Sequence, residues 1–176
     1  MGTNLIADVI AATTGGLFDF EVTASGTELL SVSPAVIIRE HLSLEDLLDK
    51  PSDDAVWPCY LSFMPDDGVG VEDDCVALYD TSAVLDGRLM IGPYVQHYGL
   101  QLRVRSKDYQ EGWAKINEIS SNMDEIANQE VDYGGEQYLI NSVSRMTAPV
   151  ALGTEQETSR RFLFTTNFKA MIKTVE

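Results

Sequence analysis

Residues 100–127, LQLRVRSKDYQEGWAKINEISSNMDEIA, contain the pattern that decides the fold. Leu100, Leu102 and Val104 alternate with polar residues, which predicts a strand with one buried face. From residue 109 the apolar spacing changes to three and four, which predicts a helix with one apolar stripe. The stripe contains Tyr109, Trp113, Ile116, Ile119, Met123 and Ile126. A strand is therefore expected to lead directly into the longest helix of the chain.

Two acidic residues and a glycine mark the start of this helix. Asp108 and Glu111 form a D-x-x-E pattern, in which the first carboxylate accepts a hydrogen bond from a free amide. Both carboxylates also lie at the positive end of the helix dipole. Gly112 costs about 1 kcal/mol in a helix relative to alanine, so we expect another element to pass close to it.

The remaining pattern predicts strands, turns and shorter helices around this unit. Strands are predicted over residues 17–23, 28–33, 57–64, 75–81 and 160–174. A hairpin is predicted around Gly134 and Gly135, a loop or hairpin tip at residues 149–158, and a long connection at 82–99. A short helix is expected at 4–12, and a strand followed by a helix, starting at Ser43, at 35–50.

These elements predict an α+β fold. The expected architecture is a mainly antiparallel sheet with one long helix and shorter helices packed on one face, plus hairpin extensions. A length of 176 residues suits one domain spanning 1–176. No apolar run is long enough to span a membrane, and the first residues lack a basic region, so we expect synthesis in the cytoplasm. Cys59 and Cys75 lie in apolar runs and are predicted to be buried free thiols, with a disulfide as the alternative.

The net charge of −16 is the unusual property of the composition. Residues 45–86 contain twelve acidic residues and one lysine, a net charge of −11, so one face of the fold should be strongly negative. Such a chain is a poor candidate for tight nucleic-acid binding because the phosphates would be repelled. It can instead form a surface over which nucleic acid passes without sticking.

The sequence contains no recognisable catalytic motif, and it predicts neither a cofactor nor an enzyme. His41 and His97 have no partner at metal-ligand spacing. One acidic loop contains Asp66, Asp67, Glu72, Asp73 and Asp74. Its carboxylates suit Ca²⁺ or Mg²⁺, but their spacing does not match a calcium-binding loop. A solvated loop is favoured, with an acidic metal-binding or hydrolytic domain as the alternative.

Positive charges also cluster. Arg103, Arg105 and Lys107 are expected on the outward side of the central strand and its exit, and Arg160 and Arg161 open the last strand. They can pair with carboxylates of the same chain or with those of a neighbouring copy, and the sequence leaves both open. Exposed pairs would contribute only about 0–1 kcal/mol each, so their use would be partner choice rather than stability.

Three segments in order resemble a known family. LSFMPDD (61–67), VALYDT (76–81) and LQLRVRSKDYQEGWAKINEI (100–119) are similar to the tail terminator or minor capsid proteins of long-tailed bacteriophages. The resemblance covers residues 57–126. Residues 13–54 are longer than that pattern expects, which marks them as a candidate insertion or decoration.

The resemblance implies a structural virion protein at the tail–head junction rather than an enzyme. Such proteins form a ring, typically a hexamer, that caps the tail tube, ends its polymerisation and offers a docking surface to the head connector. DNA passes through the hole without specific binding, and no membrane is involved. An acidic inhibitor that mimics DNA is the further alternative, suggested by charge alone.

Three groups of residues are predicted as contact sites on this basis. The subunit-interface group is Arg103, Arg105, Asp108, Glu111, Arg160 and Arg161. The group expected at the lumen or connector-facing surface is Asp66, Asp67, Glu72, Asp73 and Asp74. The group expected on hairpins that touch the tube or a neighbouring subunit is Tyr133, Tyr138, Leu152 and Glu155.

Overall fold

The computed structural model describes residues 30–52, 54–65, 73–88, 94–155 and 161–175. Its two helices are α1 (Pro34–Leu44) and α2 (Tyr109–Glu125). Its strands are β1 (Cys59–Leu61), β2 (Cys75–Arg88), β3 (Tyr94–Ser106), β4 (Ala127–Tyr133), β5 (Glu136–Arg145), β6 (Val150–Thr154) and β7 (Phe162–Thr174). The predicted helix at 4–12, the strand at 17–23 and residues 28–29 lie outside the described residues. Residues 30–33 are described and do not form the strand predicted over 28–33, so that prediction is wrong for these residues.

The strands form one sheet in the order β1-β2-β3-β7-β5-β4. β6 also pairs with β7, opposite residues 162–165, while β5 pairs with residues 168–174 of the same strand. β1 and β2 run parallel, and every other described pair is antiparallel. With the two helices, this confirms the α+β prediction with a mainly antiparallel sheet.

The core lies between the helices and one face of the sheet. Leu100, Leu102 and Val104 of β3 are fully buried, as their alternation predicts. Ile116 and Ile119 of α2 are fully buried against them in one continuous hydrophobic cluster. At the start of the stripe Tyr109 is 40% exposed, and its ring stands edge-on to Phe164 of β7 at 5.3 Å.

The predicted start of α2 is confirmed. Asp108 Oδ1 accepts hydrogen bonds from the backbone N–H groups of Gln110 at 2.7 Å and Glu111 at 3.0 Å. Gly112 is buried, and a Cβ at this position would lie 2.5 Å from Phe164 Cε2 and 2.9 Å from Ser106 Cβ. Another element therefore passes close to Gly112, as predicted, and this element is β7.

The region from residue 35 to 50 differs from its prediction. A helix, α1, occupies residues 34–44, where a strand was expected first, and it ends before Asp46, whose φ is +56°. Pro34 suits the first turn of a helix because its missing N–H is not needed there. Asp80 of β2 accepts the N–H of Ala35 at 3.0 Å and a hydrogen bond from the Ser33 hydroxyl. A carboxylate distant in sequence thus caps α1, which local pattern cannot show.

Two further predictions about the strands need correction. The strand expected at 57–64 is only Cys59–Leu61, because Ser62 has a φ of +62° and leaves the extended conformation. The long connection expected at 82–99 is mostly strand, since β2 continues to Arg88 and β3 starts at Tyr94. Gly99 lies inside β3 where a Cβ would approach Thr81 Oγ1 to 2.3 Å, so this glycine permits close strand packing rather than ending a strand.

The later hairpins and the cysteines agree with their predictions. Gly134 and Gly135, with φ of +65° and +88°, turn β4 into β5. β7 is the predicted closing strand, with Phe164 and Phe168 fully buried. Cys59 and Cys75 are buried and are not joined in a disulfide, as predicted. Burial raises the pKa of Cys59 to about 12, so this thiol stays protonated at neutral pH.

Candidate functional site

An ionic cluster forms where β3 ends, β2 begins and β7 begins. It consists of Asp73, Arg105, Lys107, Glu155 and Arg161. Four of these residues, all except Lys107, come from the three predicted contact groups, which the sequence had treated as separate surfaces. The separations along the chain are large: Asp73 and Arg161 are 88 residues apart. Sheet pairing creates the cluster, because β3 lies between β2 and β7.

Asp73 is the centre of the cluster. Its Oδ1 accepts a hydrogen bond from Arg161 Nε at 3.0 Å, and its Oδ2 accepts one from Lys107 Nζ. The hydrogen bond from Lys107, followed by the one from Arg161, lowers the pKa of Asp73 below its ordinary 3.8, although partial burial opposes the shift. A carboxylate already neutralised by two cations is a weak ligand for Ca²⁺ or Mg²⁺. This argues against the metal-binding alternative at this residue.

Arg105 corrects the prediction of an outward-facing arginine. It lies on the expected face of β3 but is only 1% exposed. Its Nη1 donates to the carbonyl of Pro65 at 2.7 Å and lies 3.7 Å from Glu155 Oε1. The alternation of β3 identified the face correctly, but it could not show that residues 65 and 155 cover this part of it.

The cluster anchors both ends of two loops. Residues 66–72 lie between Pro65, bound by Arg105, and Asp73, bound by Lys107 and Arg161. Residues 156–160 lie between Glu155 and Arg161, whose backbone groups bond at 2.9 Å. The predicted sites Asp66, Asp67, Glu72 and Arg160 fall in these loops, outside the described residues. The acidic loop and the tip of the last hairpin therefore start from the same place on the sheet.

Asp74 adds a further contact at this edge. Its Oδ1 accepts the backbone N–H of Lys107 at 3.1 Å. With Asp74 included, three cations of the cluster face three carboxylates. Among the described residues, the cations and the carboxylates at this edge are therefore equal in number.

The other predicted contact residues lie elsewhere. Arg103 is half-buried, with its guanidinium 4.9 Å from the centre of the Tyr79 ring. Asp108 is the cap of α2, and Glu111 is exposed on the first turn of that helix. Leu152 is 55% exposed on β6.

The structure places Tyr138, which was predicted as a hairpin contact, in the core of the chain, where its ring is fully buried. Its alternation with Ile140 places it on the core face of β5, and this pattern was readable from the sequence. Only the hydroxyl reaches the periphery of the fold, where it donates to Glu136 Oε2 at 2.6 Å. Tyr133, at the end of β4, is half-buried and packs against the core.

A small cavity of about 180 Å³ lies between the ends of α1 and α2. His41, Glu45 and Glu125 contribute its titratable side chains. Burial lowers the pKa of His41, an effect that the nearby charge of Glu45 opposes. Among the described residues, no group of three or more His, Cys, Asp or Glu side chains has the arrangement of a metal site.

A comparison with protein-family models identifies the family of this chain. The model for the bacteriophage tail terminator protein matches residues 41–174, well over half of the chain. The chain belongs to the bacteriophage tail terminator family. No curated protein matches the sequence significantly.

Membership of the tail terminator family extends the sequence resemblance from residues 57–126 to nearly all of the described chain. It gives the protein a structural role in a phage tail and a place in the virion, in contact with other tail or head–tail components. The family is one of structural proteins rather than enzymes. None of the helices in the described part of the chain has the length and apolar character needed to cross a membrane.

Replacing Asp73 with asparagine should separate the ionic role of this residue from its polar role. Because its pKa is lowered, the ionised carboxylate stabilises the folded state at neutral pH, and this contribution disappears as pH falls through the lowered pKa. Asp73→Asn should therefore reduce the free energy of unfolding by about 1 kcal/mol or less at pH 7. The difference from wild type should shrink progressively as pH falls below about 5, and it should be lost below the lowered pKa of Asp73.

Urea unfolding at pH 7, 4 and 3 measures this difference. Asp54→Asn is the matched control, since Asp54 is exposed and lies outside the cluster. A constant difference between wild type and Asp73→Asn across all three pH values would contradict an ionic contribution.

Proposed function

We propose that the protein forms a ring, most simply a hexamer, that caps the phage tail tube. In this position it ends polymerisation of the tube protein and provides the docking surface for the head connector. The match of residues 41–174 to the tail terminator family carries the proposal. A single sheet with α1 and α2 packed on one face also supports it, since in the described part of the chain no further helix covers the opposite face.

We propose that the acidic loop faces the lumen or the connector. The ionic cluster holds both ends of residues 66–72. Asp66, Asp67 and Glu72 would then line a negative surface, over which DNA passes without adsorbing because its phosphates are repelled. The net charge of −11 within residues 45–86 supports this placement.

The other predicted contact residues fall into two classes, those exposed to solvent and those buried in the chain. Glu111, exposed on the first turn of α2, stays a candidate at a subunit boundary, as does Arg103 on the outer face of β3. Arg105 and Arg161 are proposed to act indirectly, by holding the two loops that start from the cluster. Leu152 and the turn after Tyr133 stay candidates for contacts with the tube or a neighbouring subunit.

We propose one domain for residues 1–176. Ile37, Ile38 and Leu42 of α1 are buried in the same core as the sheet, so the end of the segment 13–54 belongs to the fold even if its start is an insertion. This helix also depends on Asp80 of β2 for its cap, which joins the segment to the family region.

Light scattering of purified protein over a range of concentrations, with and without tail tubes, tests the proposal. The expected species is six copies of the 19.4 kDa chain, and negative-stain electron microscopy should show a ring with a central hole. A strict monomer at every concentration, which also fails to bind tail tubes, would contradict the proposed function.

A further inference from the structure

The cavity of about 180 Å³ between α1 and α2 lies where both helices end. α1 ends one residue before Glu45, α2 ends at Glu125, and both glutamates line the cavity. The C-terminal end of a helix carries a partial negative charge. Two helix ends and two carboxylates therefore give this cavity a negative potential.

Neither glutamate forms an ion pair within the described part of the chain. Two cations on neighbouring segments are paired elsewhere, Arg145 with Asp124 and Lys50 with Glu40, and none of these four residues lines the cavity. An acidic side chain at the C-terminal end of a helix opposes the helix dipole. The two glutamates thus lie where they lower the stability of the isolated chain, which points to a use outside it.

His41 provides a second, independent observation. Its side chain is 8% exposed and lines the cavity, yet its ring forms no hydrogen bond with the residues that the structure describes. Buried polar side chains are normally hydrogen-bonded. Burial lowers the pKa of His41, so its ring is neutral at pH 7 and one ring nitrogen can accept a hydrogen bond. The cavity thus contains a buried acceptor in need of a donor.

The chain has no lysine or arginine side chain of its own for this cavity. None lines it, and the only basic side chains that the structure does not describe are those of Arg88 and Arg160. Arg88 lies on β2, which is four strand spacings, or about 19 Å, from β4, whose Gln129 lines the cavity. Arg160 precedes Arg161 of the ionic cluster, where α2 begins, and the 17 residues of α2 span about 25 Å. A cation for this cavity must therefore come from another molecule.

We propose that the cavity binds one organic cation, a guanidinium or ammonium group, supplied by another molecule. Glu45 and Glu125 accept hydrogen bonds from its N–H groups. A ring nitrogen of His41 and the side-chain oxygens of Asn122 and Gln129 supply further acceptors. The inference goes beyond the proposed ring and does not depend on it.

The size and lining of the cavity favour this class of ligand. Its volume is below the roughly 300–1,000 Å³ of pockets for drug-sized molecules, so it suits one side chain or a small amine. Leu42, Leu47 and Ile126 complete the lining and suit the methylene groups that precede the charge in lysine, arginine and polyamines. A metal ion is disfavoured, because no three His, Cys, Asp or Glu side chains among the described residues have the arrangement of a metal site.

Histidine ring signals in NMR spectra test the site directly, because the chain contains only two histidines. Protein labelled at its histidine rings is titrated with N-acetylarginine amide, and a His97→Gln variant assigns the two signals. We expect a saturable shift of the His41 signal at millimolar concentrations, while the signal of His97, outside the cavity, stays in place. N-acetylcitrulline amide, which has the shape of the probe without its charge, should cause no such shift.

Glu45→Gln and Glu125→Gln remove the two charges and keep the shape of the cavity. Each should weaken binding of the arginine probe about two- to fivefold, the effect of one exposed charge pair, and the double variant should lose the saturable shift. Glu118→Gln, exposed on α2 outside the cavity, is the matched control and should bind as wild type. Urea unfolding should show that all these variants fold, since neither cavity glutamate has an ion pair to lose among the described residues.

Two sources can supply this cation, a basic side chain of another tail protein or a free polyamine. For a side chain, the double variant should bind tail tubes several-fold more weakly than Glu118→Gln. For a polyamine, the double variant should bind tubes as wild type, and spermidine should shift the His41 signal at lower concentration than the arginine probe. Equal shifts with the arginine and citrulline probes, or no shift of His41 with the arginine probe or spermidine, would overturn the inference and leave the proposed function standing.

Discussion

Replacing Arg105 with methionine is expected to lower the free energy of unfolding by about 2–3 kcal/mol. The side chain is 1% exposed, and its Nη1 satisfies the carbonyl of Pro65 at 2.7 Å. Methionine fills part of the volume but donates no hydrogen bond, so this carbonyl loses its donor and Glu155 loses one of its two cations. Chemical denaturation at pH 7 measures the loss.

Arg103→Met is the matched control for this substitution. Arg103 is two residues earlier on the same face of β3, but it is half-buried, stacks over Tyr79 and donates to the side chain of Gln101. Its replacement should cost less than about 1 kcal/mol, the size of a partly exposed cation–π contact. Equal losses from Arg103→Met and Arg105→Met would show that the ionic cluster has no special energetic role.

Arg105→Met should also affect assembly more than its stability loss explains. The same side chain holds the start of the acidic loop and lies beside the end of β6. At a temperature where the variant is fully folded, its association measured by light scattering should therefore be weaker than that of the wild-type protein. Unchanged association would mean that neither loop anchored at the cluster contributes to the ring.

Replacing Gly112 with valine should cost about 1–3 kcal/mol, because α2 crosses β7 at this residue without space for a side chain. A Cβ would lie 2.5 Å from Cε2 of Phe164, whose ring is fully buried. Ser106 Cβ, at 2.9 Å, closes the other side. The ring cannot turn aside easily, since Tyr109 and Trp113 pack against it with ring centres at 5.3 and 6.0 Å.

Thermal and urea unfolding of Gly112→Val and Ala114→Val isolates the packing effect. Ala114 is exposed on the same helix, so its replacement by valine should cost only the difference in helix propensity, about 0.5 kcal/mol. Gly112→Ala should also destabilise, despite the better helix propensity of alanine. A stabilising Gly112→Ala would show that α2 can move away from β7 at little cost.

The sequence pattern was sufficient to predict those elements whose structure depends only on residues close together in the chain. The alternation of Leu100, Leu102 and Val104, the stripe of α2 and its cap at Asp108 all follow from neighbours within one or two turns. The turn at Gly134 is equally local, because only glycine adopts its positive φ without strain. The excess of acidic residues within 45–86 can be recognised by counting charges in the sequence.

Contacts between distant residues required the tertiary structure. The start of α1 was not predicted because its cap comes from Asp80, more than forty residues away in the sequence. The full lengths of β2 and β3 were not predicted because pairing within the sheet outweighs the local effect of the glycines. Alternation assigns a side chain to a face of a strand, but the other elements decide whether that face is covered. The sequence by itself thus determined the fold class, the central strand–helix unit and the acidic character. Only the tertiary structure decided that Arg105 is buried in an ionic cluster and that the ends of α1 and α2 enclose one cavity, because both bring together residues that are distant in the sequence.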